Sequence, residues 1–129
     1  MATLNIQLRI ESNDVFSDQL DLLVSDAITT GNPCIGMSTI AATNVGGDNV
    51  IAPNVDSTKY VYIKHTGVDA NGAAVTTDLT VEDTDNVRFG KLGPGEFMLV
   101  PHSKGAAKGV QLETSSGVIV AEYAYFTKA

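Results

Sequence analysis

Hydrophobic and polar residues alternate with a period of two along much of the chain. Leu4, Ile6, Leu8 and Ile10 alternate with Asn5, Gln7 and Arg9, which places the apolar side chains on one face of an extended strand. Leu20, Leu22 and Val24 repeat the pattern between Asp18 and Asp26. The run Tyr60 to His65 is β-branched and aromatic, as a pleated, half-buried surface favours. Leu79 and Val81 alternate with Thr80 and Glu82, Val87-Arg88-Phe89 makes a shorter alternation, and Glu96 to Val100 leads into Pro101. Val118 to Phe126 is apolar on both faces for part of its length and predicts the longest strand, placed centrally in a sheet. One segment competes for a helix: Val15 to Val24 sets Phe16, Leu20 and Leu23 at helical spacing, although its alternation favours a strand.

Turn residues separate these runs. Gly46-Gly47-Asp48-Asn49, Asn71-Gly72, Gly93-Pro94-Gly95 and Ser115-Ser116-Gly117 supply the positive or fixed φ that tight turns need. Short strands punctuated in this way predict an all-β fold, an antiparallel β-sandwich of the jelly-roll or immunoglobulin-like kind. A βα alternation is absent, which argues against a nucleotide-binding α/β sheet. No repeat or linker divides the chain, so residues 1–129 are expected to form one domain, with residues 1–10 an extended N-terminal strand available for assembly.

Composition narrows the function classes. Eight basic residues against fifteen acidic ones give a net charge of −7, a poor match to a phosphate backbone, so nucleic acid is not an expected partner. Residues 1–58 carry Arg9 as their one cation against seven acids, an asymmetry that serves solubility or docking onto a basic partner. No apolar run approaches the ~20 residues of a membrane span, and the N-terminus does not read as a signal sequence. One cysteine, Cys34, rules out an internal disulfide framework. Without tryptophan, and with 6% aromatic residues, the chain is poorly supplied for a sugar- or base-stacking platform.

Candidate chemistry is sparse. Cys34 has no base nearby in sequence and reads as a small buried hydrophobe. His65 and His102 could share a metal only if folding brought them together with a third ligand; otherwise His65 caps a strand end or faces solvent. His102-Ser103 is not a hydrolase pair, because neighbours on a strand point to opposite faces and no G-x-S-x-G elbow exists. Glu82-Asp83-Thr84-Asp85-Asn86 has the oxygens for calcium but lacks the EF-hand glycine and glutamate, and a polar hairpin turn is expected there. Gly90 to Phe97 lacks the phosphate-loop order. The expectation is therefore a non-enzyme with no cofactor and no metal.

The string Lys59-Tyr-Val-Tyr-Ile-Lys-His-Thr-Gly67, followed by Phe89-Gly-Lys-Leu-Gly-Pro-Gly-Glu-Phe-Met-Leu-Val-Pro101, resembles a group of small β-rich virion proteins of tailed bacteriophages, those of cyanobacterial and other marine phages above all. The group's serine-glycine turn and final strand correspond to Ser115–Gly117 and Val118–Phe126, and His65 stands where the group often has asparagine. The resemblance implies a capsid decoration (cement) protein, made in the host cytoplasm and carried on the outer surface of the virion. Its partners would be the major capsid protein and further copies of itself, for example in a trimer. Leu4, Ile6, Leu8 and Arg9 on the N-terminal strand, with Lys104 and Lys108 in a basic loop, are the expected contact residues, because termini and loops are free to reach out. A tail, neck or fibre protein and a carbohydrate-binding adhesion module are the alternatives.

Overall fold

In the computed structural model, which describes residues 2–14, 19–53, 59–102 and 108–129, the alternating segments become antiparallel strands. The described strands are β1 (Thr3–Ser12), β2 (Leu20–Ala42), β3 (Val50–Ala52), β4 (Lys59–His65), β5 (Leu79–Asp83), β6 (Arg88–Leu92), β7 (Phe97–His102), β8 (Val110–Thr114) and β9 (Ile119–Lys128). A single 3-10 turn at Gly46–Asp48 precedes β3, and the described residues include no α-helix. One sheet has the order β1-β2-β9-β4-β7, the other β3-β8-β5-β6. The two pack as a sandwich, as the turn-separated alternation predicts.

The core lies between the sheets. Val61, Ile63, Ile119, Ala121 and Tyr125 come from the five-stranded sheet, and Ile51, Leu79, Val81, Val110 and Leu112 from the four-stranded one. Each fully buried aliphatic side chain contributes roughly 1.5–3 kcal/mol, and this layer closes the body of the protein. β9 is the middle strand of its sheet, bonded on one side to β2 and on the other to β4. Its predicted central position is thus observed.

Its predicted length rank is not. The longest strand is β2, 23 residues against 10 for β9. Gly31, Pro33 and Gly36 interrupt the alternation in its middle, so the sequence shows only its first third. The chain stays extended across them through register shifts between Gly31 and Cys34 and between Ile35 and Ser38. The helical alternative fails from Leu20 onward, where pairing with β1 takes over; Val15 to Asp18 lie outside the described residues.

Two buried polar side chains tie the loops down. His65, at the end of β4, is fully buried. Its Nδ1 accepts the Gly67 N–H at 2.9 Å, so Nε2 carries the proton and donates to the Thr77 carbonyl, also at 2.9 Å. The His65 backbone bonds Glu96 and Gly95 of the β6–β7 turn. Asn49 does the same for the 43–49 loop: Oδ1 accepts the Thr43 N–H, and Nδ2 donates to the carbonyls of Thr43 and Leu112. Both satisfy their polar atoms inside the protein, the condition for burying them.

Candidate functional site

β2 divides into two parts. Residues from Thr30 onward pair with β9 in the body, whereas Leu20–Thr29 pair only with β1, from Thr3↔Thr29 out to Ser12↔Leu20. β1 and Leu20–Thr29 therefore make a two-stranded arm at the margin of the five-stranded sheet.

Cross-strand partners share a face, so the register fixes what each side of the arm presents. One face carries Leu4, Ile6, Leu8 and Ile10 with Leu20, Leu22, Val24 and Ile28, and Asp26 is its one charged residue. The other carries Thr3, Asn5, Gln7, Arg9 and Glu11 with Asp21, Ser25, Ala27 and Thr29, and Leu23 is its one large apolar residue. Arg9 stands between Glu11 (3.1 Å) and Asp21 (3.5 Å), two acids set directly opposite each other in the register. These exposed pairs steady the tip only slightly.

The apolar face of the arm is not an extension of the core. In the pairing of β2 with β9, Thr30↔Lys128 and Cys34↔Phe126 lie on the side occupied by Tyr60, the register partner of Phe126. That is the outer side of the sheet, away from Val61, Ile63 and Tyr125. Ile28 and Asp26 follow Thr30 at two-residue steps onto the same side. One contact confirms it: the Tyr60 hydroxyl donates to Asp26 Oδ2 at 2.8 Å. Apolarity thus changes sides where the arm leaves the body. Ile28 is buried at the junction, while Leu8, Ile10, Leu22 and Val24 are 42%, 45%, 43% and 53% exposed.

The outer side of the body continues the apolar surface. Phe126, Tyr60 and Tyr62 are half-buried there, and Phe97, Leu99 and Pro101 of β7 are exposed opposite Lys64, Tyr62 and Tyr60. Tyr123 and Tyr125 take the inner side, so the tyrosines divide between core and outer face. The hydrogen bond to Asp26, with burial and that carboxylate's charge, raises the Tyr60 phenol above its ordinary range. Burial and Glu122 raise Tyr62.

Of the residues singled out from the sequence, Leu4, Ile6 and Leu8 lie on the apolar face and Arg9 on the polar one. Lys108 bonds Asp85 and lies 3.9 Å from Asp83, both at the β5–β6 turn. Lys104 lies outside the described residues. The alternation of Leu20, Leu22 and Val24 predicts a strand but not its partner, which is β1. The signal available was two neighbouring apolar alternations, Leu4 to Ile10 and Leu20 to Val24, separated by a segment rich in Ser, Asn and Asp.

Other candidates resolve as structure. His65 and His102 stand at opposite ends of the β4–β7 pairing, His102 facing Lys59, so they do not form a shared site. His102 stacks on Phe89 with ring centroids 5.6 Å apart. Cys34 is exposed rather than buried, because the shift between Gly31 and Cys34 turns it out of the core; its thiol donates to the Gly31 carbonyl. The Glu82–Asn86 cluster is a turn in which Asp83 Oδ1 accepts the N–H groups of Asp85 and Val87, and Asn86 takes a φ of 66°. Burial pushes Asp83 upward, but those two N–H groups, with Lys108 and His102, outweigh it and hold the carboxyl below its ordinary range. Among the described residues, no three His, Cys, Asp or Glu side chains are grouped to hold a metal ion. An open depression of about 770 Å³ on the four-stranded sheet is lined by Thr80, Arg88, Lys91 and Glu113, with Lys91 bridged to Asp78 at 3.1 Å.

Comparison with known protein families, curated proteins and solved structures returned no match. The arm is the candidate site on its own geometry.

Proposed function

We propose that this chain is a structural component of a phage virion, a capsid decoration protein whose work is adhesion between chains rather than a reaction. The observation that carries the reading is the arm: ten paired positions whose outer face is apolar but for Ser12 and Asp26 and, beyond the buried Ile28, stands exposed at Leu8, Ile10, Leu22 and Val24. Two-stranded hairpins are marginal alone, and an exposed apolar sheet face of this extent marks an interaction surface. The resemblance in residues 59–126 to small phage virion proteins supplies the setting. A shell protein of this kind would act by burying the arm against a neighbouring chain, with charge complementarity setting orientation.

The test is quantitative mass spectrometry of purified particles. A copy ratio near that of the major capsid protein supports decoration of the lattice. A few copies per particle would move the chain to the tail or neck and remove the cement mechanism. A glycan-array signal dependent on Tyr60 and Tyr62 would favour an adhesion module instead.

A further inference from the structure

The geometry points to a second copy of this chain as the occupant of the arm's apolar face. This rests on reading the arm as an assembly element, and not on where in a particle the protein sits.

Apolar arm and aromatic body stripe lie on the same side of one continuous sheet, joined at Ile28 and at the Tyr60–Asp26 bond. A two-fold axis parallel to the sheet plane, across the strands and just outside the outer face near that junction, turns one copy over onto the other. It reverses the strand direction, so the arm of each copy lies along the outer face of its partner's body. Such a contact is isologous: arm meets stripe, and stripe meets arm. Had the arm's apolar face been on the inner side, no such superposition would exist.

Size is consistent. A face of two strands ten residues long measures roughly 34 Å by 10 Å, and the two arms with the two stripes they cover amount to roughly 1,300 Å², within the range of stable interfaces. Charge does not oppose the contact: Glu11 and Asp21 lie on the arm's polar face, and Asp26, the one charge on its apolar face, is already bonded to Tyr60. On the body, Lys64 stands beside its register partner Glu122 on the outer side.

The test is light scattering behind size exclusion on the full chain at tens of micromolar. The expected mass is twice the 13.5 kDa of one chain. Leu22→Asp on the apolar face and Leu99→Asp on the stripe should each weaken the dimer at least tenfold. Leu23→Asp, one residue along but on the opposite face, should leave it intact. Circular dichroism checks that each variant is folded, since all three positions are exposed. A monomeric wild type overturns the proposal, and so does a dimer that survives Leu22→Asp, one that Leu23→Asp disrupts equally, or a higher oligomer. A monomer whose arm is protected from hydrogen exchange only when shell protein is added assigns the face to the capsid and likewise overturns it. Because self-association is measured on the purified chain and copy ratio on particles, the failure of one reading does not carry the other with it.

Discussion

Tyr60 and Asp26 are 34 residues apart in sequence and 2.8 Å apart in space, and their bond is where the arm is fastened to the body. The phenol is held in its protonated form by the carboxylate, which raises its pKa above the ordinary value. A group whose proton is bound more tightly in the folded state stabilises that state below the unfolded pKa. That contribution disappears as pH rises through the folded value. The fastening is therefore expected to hold through neutral pH and to be lost in the alkaline range above about 10. Tyr60→Phe should abolish this alkaline step. The bond is exposed, so global stability should change by less than about 1 kcal/mol. Hydrogen exchange of the β1 and β2 amides from Thr3 to Thr29 should accelerate while the β5 and β8 amides stay protected.

His65 carries the opposite kind of bond, one shut away from the surface. Both ring nitrogens are used and the side chain is fully buried. His65→Ala leaves the Gly67 N–H and the Thr77 carbonyl without partners and opens a cavity beneath the β6–β7 turn. The expected cost is about 3 kcal/mol, or a fall in Tm of roughly 10 °C by differential scanning calorimetry. Asparagine, which can accept from Gly67 but not also span to Thr77, should recover part of that loss.

At the β5–β6 turn the dependence on acid follows from Asp83. Its carboxyl is held below the ordinary range by the turn's N–H groups and Lys108. Its contribution is complete above the unfolded pKa near 3.9 and is lost as pH falls through the lower, folded value. Asp83→Asn keeps an acceptor for the turn and should flatten the acid limb of stability against pH. Asp83→Ala removes the acceptor too and should cost about 1–2 kcal/mol at neutral pH.

Two glycines separate tolerance from clash. A Cβ at Gly46 would stand 2.7 Å from Glu82 Oε1 and 2.9 Å from Gln111 Nε2, a buried pair already bonded to each other at 2.7 Å. A Cβ at Gly90 would meet the Met98 methyl at 2.9 Å, the free end of a flexible side chain. Gly46→Ala should cost 1–3 kcal/mol by strain on that pair, on the order expected for overpacking. Gly90→Ala should cost less than about 1 kcal/mol, because Met98 repacks. Urea unfolding of the two variants gives the comparison directly.

Alternation made β1 and β4 legible because each sets its apolar residues on one face; β5 showed through Leu79 and Val81 alternating with Thr80 and Glu82, and β9 through a run apolar on both faces, as a central strand requires. β3 is three residues long, too short for period two to show, whereas in β8 Val110 and Leu112 do alternate with Gln111 and Glu113, over a stretch too brief to stand out beside the longer runs. The middle of β2 was hidden by Gly31, Pro33 and Gly36, whose effect is absorbed by register shifts rather than a turn. The apolar residues of the arm were visible, but the side of the sheet they occupy was not. Sidedness depends on the number of residues between Thr30 and Cys34 that the ladder skips, and only pairing with β9 shows that. The exposure of Cys34 follows from the same shift.

The unbroken course of β2 has a mechanical consequence. Its outer part holds β1, and its inner part runs on for nine paired positions along β9, the middle strand of the sheet. Traction on the tip along the strand axis is therefore not taken up at a hinge. It loads the β2–β9 ladder lengthwise, so that many hydrogen bonds share the tension and must yield together, whereas a pull at right angles would open them one after another. The arm is a lever set into the strongest direction of the sheet it belongs to.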